Sequence, residues 1–252
     1  MLDSFRLDGK TAIVTGASRG LGAAMAQALA EAGADLVLVA RGDQSGLQKS
    51  IAALGRRSIA VAADLAAPAA TGEIIAAAQQ AFGRADILVN NAGIIRRAAL
   101  LEFSEQDWDD VLDVNLSAAF RLSQRFAAGL VTRRSPGKII NIASMLSFQG
   151  GVRVASYTAS KSALAGLTRA MANELAPLGI NVNALAPGYM ATDNTAALRA
   201  DPGRNRAILE RIPAGRWGTP DDLKGAVVFL ASPASDYLHG HTLAVDGGWL
   251  AR

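Results

Sequence analysis

The chain has no cysteine and only two histidines among its 252 residues. Without cysteine, the sequence excludes disulfide bonds, thiolate nucleophiles and cysteine-ligated zinc. His239 and His241 have no evident third ligand, so we predict no metal site. Charged residues are also scarce at 19%, against 50% hydrophobic residues, and this balance excludes a disordered chain.

A large excess of one charge sign and long apolar runs are missing as well. Lys and Arg number 25 against 22 Asp and Glu, a formal net charge of +3, and no basic stripe typical of nucleic-acid binding is present. Residues 1–8 contain two acidic side chains and no apolar targeting core, and no run of about 18 apolar residues occurs. We therefore predict a cytoplasmic protein that binds neither nucleic acid nor membrane.

Short apolar segments alternate with longer Ala-rich segments of helical spacing, a pattern typical of a parallel sheet covered by helices. The predicted strands are 11–14, 36–40, 58–62, 87–90, 138–142, 181–184 and 242–245. The predicted helices are 22–32, 44–54, 69–82, 105–130, 156–176 and 220–231. The pattern predicts one α/β domain over 1–252, a Rossmann-type doubly wound sheet of about seven parallel strands. Residues 187–218 are longer than a connection needs and form a candidate substrate loop or lid.

A glycine-rich turn directly follows the first predicted strand. Its spacing is G-x-x-x-G-x-G, not the more familiar G-x-G-x-x-G, and a helix begins at its end. Such a helix N-terminus offers backbone amides to a pyrophosphate, which favours dinucleotide binding over a purely structural turn. The residues predicted to contact the dinucleotide here are Gly16, Ser18, Arg19, Gly20, Leu21 and Gly22.

The end of the second predicted strand bears on the choice of coenzyme. An acidic residue there accepts from the ribose hydroxyls and repels a 2′-phosphate, whereas an arginine neutralises that phosphate. This strand ends at Arg41, which together with Arg19 favours NADP(H); NAD(H) and a solvated Arg41 are the alternatives. Asp64 and Leu65 follow the third strand, and Asp64 is predicted either to accept from the adenine amino group or to cap the local turn.

Tyr157 and Lys161 are four residues apart, which places them on one face of a predicted helix. A free tyrosine titrates near about pH 10, so proton exchange near neutrality needs a neighbouring cation that favours the phenolate, and Lys161 is predicted to be that cation. Ser144 follows a predicted strand at the carboxyl edge, where its hydroxyl is placed to donate to a substrate carbonyl. Ser147 is a rival for that role, and either serine is also compatible with a bond to the local turn.

Several amides lie near the same edge. Asn90, Asn91, Ala92 and Gly93 follow the fourth strand, where we predict that they lie under the coenzyme, with a structural role favoured over a chemical one. Asn115 lies inside a predicted helix, although asparagine is a poor helix former. That position favours either a backbone kink that holds a water molecule or a buried amide with its own partners.

Together these motifs resemble the short-chain dehydrogenase/reductase family over essentially the whole chain. The resemblance rests on residues 15–22, 64, 90–93, 115, 144, 157, 161, 187–188, 192 and 245–248. It implies that Tyr157 is the general acid/base, that Lys161 lowers the pKa of Tyr157 and binds the nicotinamide ribose, that Ser144 orients the carbonyl and that Asn115 holds a relay water. It also implies coenzyme contacts at Pro187 and Gly188, a carboxamide contact at Thr192, and a homotetramer.

A narrower resemblance concerns the substrate. Residues 94–97, 142–153, 186–192, 211–218 and 245–252 resemble family members that act on deoxy keto-sugar acids from pectin or alginate breakdown, many of which favour NAD. The resemblance implies hydride transfer between a nicotinamide coenzyme and a secondary alcohol or ketone of such an acid.

A sugar acid brings a carboxylate into the site, and an arginine is suited to bind it in a bidentate manner. Arg97 and Arg153 are the favoured candidates over Arg96, and Gln149 and Met190 are further candidate substrate contacts. Solvated positions or subunit contacts for the arginines are the alternative.

Other functions remain open at this point. The 3-oxoacyl-carrier-protein reductases share the catalytic motifs and differ in the substrate loops, and other gluconate or sugar dehydrogenases are also compatible with the sequence. A dinucleotide-binding scaffold without turnover is disfavoured because both Tyr157 and Lys161 are present.

Overall fold

Seven parallel strands form one sheet in the computed structural model, which describes residues 1–252. The strands are β1 (Thr11–Thr15), β2 (Asp35–Ala40), β3 (Ser58–Ala62), β4 (Ile87–Asn90), β5 (Gly137–Ile142), β6 (Ile180–Pro187) and β7 (Thr242–Val245). Their order across the sheet is β3-β2-β1-β4-β5-β6-β7. The order reverses between β1 and β4, and such a reversal opens a ligand-binding crevice at the carboxyl ends of the strands. The predicted doubly wound sheet is confirmed.

The strands are buried because helices cover both faces of the sheet. The helices are α1 (Gly20–Glu31), α2 (Ser45–Ala53), α3 (Ala70–Phe82), α4 (Glu105–Leu112), α5 (Ala118–Thr132), α6 (Ala155–Leu175), α7 (Ala196–Ala200), α8 (Pro202–Arg211) and α9 (Lys224–Ala231). Along β1, Ala12 and Val14 pack into a cluster with Leu29 of α1, whereas Ile13 packs into a second cluster with Phe126 of α5. This alternation follows from the two-residue repeat of a strand. None of the helices combines the length and apolar character that a bilayer-crossing segment needs.

The predicted helix 105–130 is interrupted in the structure. A π-helical turn over Asp113–Ser117 separates α4 from α5. Asn115 lies at the centre of this turn and is almost fully buried. Its side-chain amide bonds outside the helix, as short polar side chains in helices tend to do, and the wider turn accommodates it. The predicted backbone deformation at Asn115 is present, but the prediction of one continuous helix over 105–130 was wrong.

The segment 187–218 contains two helices, α7 and α8, that the sequence analysis did not predict. Pro202 and Gly203 are residue types that break helix interiors, but Pro202 is the first residue of α8, where its missing N–H costs nothing. The Asp201 carboxylate caps this helix by accepting from the N–H groups of Gly203 and Arg204. The segment begins where β6 ends, three residues beyond the predicted strand.

Both ends of this segment are joined. Met190 and Gly218 form an isolated parallel bridge, and the Ala191 N–H donates to the Gly218 carbonyl at 2.7 Å. The two ends of the segment therefore lie side by side near the carboxyl edge of the sheet, and the residues between them form a folded insertion.

Candidate active site

A cavity of about 1480 Å³ opens at the carboxyl edge of the sheet. Of the residues predicted to contact coenzyme or substrate, Asn90, Asn115 and the rival serine Ser147 do not line it. The predicted coenzyme contacts in its wall are Gly16, Ser18, Arg19, Gly20, Leu21, Gly22, Arg41, Asp64, Leu65, Asn91, Ala92, Gly93, Pro187, Gly188 and Thr192. The predicted catalytic and substrate contacts in its wall are Ser144, Tyr157, Lys161, Arg97, Arg153, Gln149 and Met190.

The glycine loop forms one end of this cavity. Gly16 has a φ of +68°, and a Cβ on Gly22 would lie 2.2 Å from the Gly16 carbonyl oxygen. Side chains are therefore excluded at both positions. No side chain caps the N-terminus of α1, so its first amides are free of side-chain acceptors. A close backbone turn with uncapped amides fits the phosphates of a dinucleotide.

Amides under the loop hold its shape. The Asn91 side chain donates to the carbonyls of Thr15 and Gly16 at 2.8 and 3.2 Å, and the Thr15 hydroxyl accepts from the Asn91 and Ala92 N–H groups. The Asn90 amide instead donates to Ser123 and Asn141 inside the sheet layer. The Asn91 amide therefore supports the loop backbone, whereas the Asn90 amide joins β4 to side chains of α5 and β5.

The two arginines predicted to bind a 2′-phosphate are exposed at the same end. A nitrogen of Arg19 lies 3.2 Å from a carboxylate oxygen of Asp193, and a nitrogen of Arg41 lies 3.7 Å from one of Asp64. Exposed ion pairs are weak, so neither carboxylate holds its arginine firmly. Asp64 also accepts from the Ala66 N–H at 3.1 Å, which is the local turn contact that the sequence left open.

Tyr157 lies in the cavity wall beyond the glycine loop. Burial raises the pKa of Tyr157, while the neighbouring Ser144 hydroxyl and the positive charge of Arg97 lower it. The sequence predicted that Lys161 would favour the phenolate. In this structure the net shift of the Tyr157 pKa is upward, and the cation that opposes the shift is Arg97.

Lys161 faces the same region but is bonded elsewhere. Its Nζ donates to the Ile142 carbonyl at 2.6 Å and lies 5.7 Å from the centre of the Tyr157 ring. Burial lowers the pKa of Lys161 to about 8. Gly93 leaves room beside it, because a Cβ there would lie 3.7 Å from Nζ. The ammonium is thus held at the carboxyl end of β5, with two further N–H donors.

The two candidate serines differ in their contacts. The Ser147 hydroxyl donates to the Lys161 carbonyl at 2.7 Å, which ties it to the α6 backbone. The Ser144 hydroxyl accepts from the Leu146 N–H at 3.2 Å and retains its own proton for another acceptor. Of the two, only Ser144 lines the cavity.

Asn115 lies behind the cavity wall. Its side chain accepts from the Ile94 N–H at 2.8 Å and donates to the Ile94 carbonyl and the Ser160 hydroxyl. This is the buried, fully partnered amide that the sequence left open. It fixes the loop after Gly93 against α6, so its observed contacts are those of a positioning residue.

The other end of the cavity contains the predicted substrate arginines. Arg97 donates to the Asn194 carbonyl at 3.2 Å, and Arg153 has a left-handed backbone with a φ of +64°. A left-handed φ is uncommon for a residue other than glycine and is typical of functional loops. Arg96 is ion-paired with Asp107 and Asp110, which reduces its availability to a substrate.

Sequence reasoning missed several residues at this end. Arg211 and Trp249 line the cavity, as do Leu198, Ile208 and Ala207 from the two unpredicted helices. Tyr189 packs edge-on against Trp217 and Trp249, which attaches the C-terminal residues to the 187–218 segment. The resemblance of residues 211–218 and 245–252 pointed to these segments, but no local pattern indicated which side chains face inward.

Comparison with known proteins agrees with this geometry. A family model described as enoyl-(acyl carrier protein) reductase matches residues 16–250. The chain belongs to the short-chain dehydrogenase/reductase family. A 2-dehydro-3-deoxy-D-gluconate 5-dehydrogenase of Dickeya dadantii is 56% identical over all of both chains. The chain is accordingly an NAD(P)-dependent oxidoreductase that acts on CH–OH groups.

Two further relatives bear on coenzyme and substrate. A protein of Agrobacterium tumefaciens, solved with bound NADP, is 57% identical, covers 99% of each chain and superposes with a TM-score of 0.94. A 3-oxoacyl-[acyl-carrier-protein] reductase of Vibrio cholerae is 42% identical over 96% of this chain and 98% of its own. The similarity to the reductase, the rival considered above, is lower than that to the sugar-acid dehydrogenase.

Proposed function

We propose that this protein transfers a hydride between NADP(H) and the C5 position of a deoxy keto-sugar acid such as 2-dehydro-3-deoxy-D-gluconate. The observation that carries this proposal is the set of arginines without carboxylate partners at the end of the cavity next to Tyr157. A substrate with a carboxylate supplies the missing negative charge. The name of the Dickeya dadantii relative supports the same substrate class.

The catalytic roles follow from the contacts of the side chains. When bound, the coenzyme supplies or accepts the hydride. The Tyr157 phenol, kept protonated by its raised pKa, donates its proton to the substrate carbonyl oxygen in the reducing direction. The free proton of the Ser144 hydroxyl orients that same oxygen. In the oxidising direction, the positive charge of Arg97 stabilises the phenolate that accepts the proton.

Lys161 and the loops position the reacting groups. The two free donors of the Lys161 ammonium are assigned to the nicotinamide ribose, and Thr192 is assigned to the carboxamide. Thr192 lies against the glycine loop, because a Cβ on Gly20 would approach its methyl group at 3.8 Å. Asn115 bonds to the Ile94 backbone and so fixes the wall beside Lys161. We also assign a relay water to a position near Asn115.

NADP(H) is the proposed coenzyme, with NAD(H) as the alternative. Arg19 and Arg41 lie at the cavity rim with weak ion pairs that a 2′-phosphate is able to replace. The Agrobacterium tumefaciens structure with NADP supports this choice. Asp64 and Leu65 are assigned to the adenine.

We further propose that residues 187–218 act as a lid, because Asp193 is ion-paired with Arg19 of the glycine loop and the Thr192 methyl group lies near Gly20. NADP should then slow amide hydrogen exchange in α7 and α8 more than in β5, and equal slowing would count against a lid.

A cytoplasmic homotetramer is proposed as well. The exposed apolar side chains of Leu100, Leu101 and Phe120 support association, and sedimentation should give about four times the 26.0 kDa chain mass.

The test of the proposed function is a comparison of substrates. Initial rates would be measured with 2-dehydro-3-deoxy-D-gluconate, D-gluconate and acetoacetyl thioester, each with both coenzymes in the appropriate oxidation state. We expect the deoxy keto-sugar acid with NADP(H) to give the largest kcat/KM. Robust thioester reduction without turnover of any sugar acid would instead assign the protein to the acyl-carrier reductases.

A further inference from the structure

Four arginines in the cavity wall lack a carboxylate partner: Arg97, Arg153, Arg204 and Arg211. The other arginines of the wall are each ion-paired, as Arg96 is with Asp107. Uncompensated positive charge around one end of a cavity attracts an anionic ligand. The four arginines differ in how firmly the fold holds their side chains.

Arg211, the last residue of α8, is held in place by neutral groups. Its guanidinium carbon lies 4.0 Å from the centre of the Trp249 ring, and one of its nitrogens donates to the Gln149 side-chain oxygen at 3.1 Å. Stacking and one hydrogen bond fix the plane of the guanidinium while other N–H donors stay free. The Arg252 side chain donates to the Arg211 carbonyl and holds the backbone as well.

Trp249 adds a second observation at the same place. It is 4% exposed, lines the cavity, and its indole nitrogen has no hydrogen-bond acceptor within the protein. The nitrogen itself is inaccessible from the cavity, so Trp249 contributes the face of its indole ring, which packs against the Arg211 guanidinium.

The remaining arginines are less suited to a carboxylate. The Arg97 charge acts on the pKa of Tyr157, which places Arg97 at the reacting end, whereas Arg211 has no such effect. In a sugar acid that reacts at C5, the C1 carboxylate is four carbon–carbon bonds from the reacting carbon. Arg153 and Arg204 have no side-chain hydrogen bond or ion pair, so binding would have to immobilise them first.

We propose that Arg211, stacked on Trp249 and bonded to Gln149, binds the C1 carboxylate of the substrate and selects acids over neutral sugars. This inference rests on the proposed function. It moves the carboxylate from Arg97 and Arg153, where sequence reasoning placed it, to a residue supplied by the unpredicted helix α8. Arg211 is a specificity-determining residue that takes no part in the proton or hydride transfer.

The experiment compares Arg211→Met with Arg206→Met, a matched control on the exposed side of α8 away from the cavity. The substrates are 2-dehydro-3-deoxy-D-gluconate and its C1 amide, which has the same length and no charge. For Arg211→Met we expect the KM for the acid to rise about 10- to 100-fold with little change in kcat, because a charged hydrogen bond is lost. NADP affinity should stay at the wild-type value, and kcat/KM for the amide should fall by a much smaller factor than kcat/KM for the acid, because the amide offers Arg211 a neutral acceptor only.

Arg211→Lys keeps the charge but not the planar stack, so its KM for the acid should fall between those of the wild type and Arg211→Met. An unchanged KM for the acid in Arg211→Met overturns this inference and leaves the proposed function intact. An equal loss for acid and amide also overturns it, since that result indicates a general packing defect. A wild-type protein that turns over no sugar acid overturns both proposals.

Discussion

Tyr157 is the residue on which the proposed chemistry depends most. Tyr157→Phe removes one oxygen from the cavity wall and should lower kcat by about 10²- to 10⁴-fold, the range typical of a lost general acid/base. Coenzyme affinity and the free energy of unfolding should change little, because phenylalanine keeps the aromatic ring that Tyr157 contributes to the cavity wall. Steady-state kinetics and a fluorescence titration with NADPH check both parts, and turnover close to wild type would remove Tyr157 from its assigned role.

Arg41 tests the choice of coenzyme. Arg41→Ala should raise the KM for NADPH at least several-fold, since a charge-assisted contact with a phosphate contributes about 1.5–3 kcal/mol. The KM for NADH should remain nearly unchanged because NADH lacks the 2′-phosphate. Equal responses of the two coenzymes, or a wild-type preference for NADH, would contradict the placement of the phosphate beside Arg41.

Lys161 links burial to pH. Its pKa is about 8 in the folded chain and near 10.5 in an unfolded one, so between these values the unfolded state binds more protons and stability rises with pH. Lys161→Met has no such titration. From neutral pH to about pH 9.5, the free energy of unfolding of the wild type should therefore increase relative to the variant by about 2 kcal/mol. Urea unfolding at both pH values measures this difference, and a constant difference would show that Lys161 is not buried as described.

At the scale of elements, the glycine loop tolerates no side chain where α1 begins. Gly22→Ala places a Cβ against the Gly16 carbonyl and the Asn91 amide, so α1 has to move away from the loop. We expect destabilisation of about 1–3 kcal/mol and a large loss of NADP affinity. Gly46→Ala in α2 is the control, because nothing lies within 4 Å of its Cβ position and alanine favours a helix. Equal NADP affinity in the two variants would contradict the account of the loop.

The strands and most helices were predictable because their apolar pattern is set by burial on both faces of the sheet. A tertiary contact decided one exception: the π-helical turn forms because Asn115 bonds to Ile94, which is distant in sequence. The start of α8 has a local signal, the Asp201 cap before Pro202, which the sequence analysis did not use. The glycines of the loop, and Tyr157 and Lys161, are separated by only a few residues in the sequence, so their spacing could be recognised without the fold. Arg211 and Trp249 have no such spacing and meet only through the fold.

At the scale of the whole molecule, one cavity contains both the glycine loop and the unpaired arginines. The reversal of strand order between β1 and β4 brings the glycine loop, the Ser144 edge and α6 to one side of the sheet. The 187–218 segment and the C-terminal residues then complete the far end with positive charge. Our proposal accordingly assigns the coenzyme to the end built by the sheet and substrate selection to the late segments of the chain.

The most direct test of the central claim follows the hydride itself. The protein would be incubated with NADPH deuterated at nicotinamide C4 and with the 5-keto form of 2-dehydro-3-deoxy-D-gluconate, and the product analysed by NMR. We expect deuterium bound to C5 of the sugar acid, formed by the wild type and hardly at all by Tyr157→Phe. Unlabelled sugar acid, with deuterium transferred instead to acetoacetyl thioester in a parallel incubation, would contradict the proposed function.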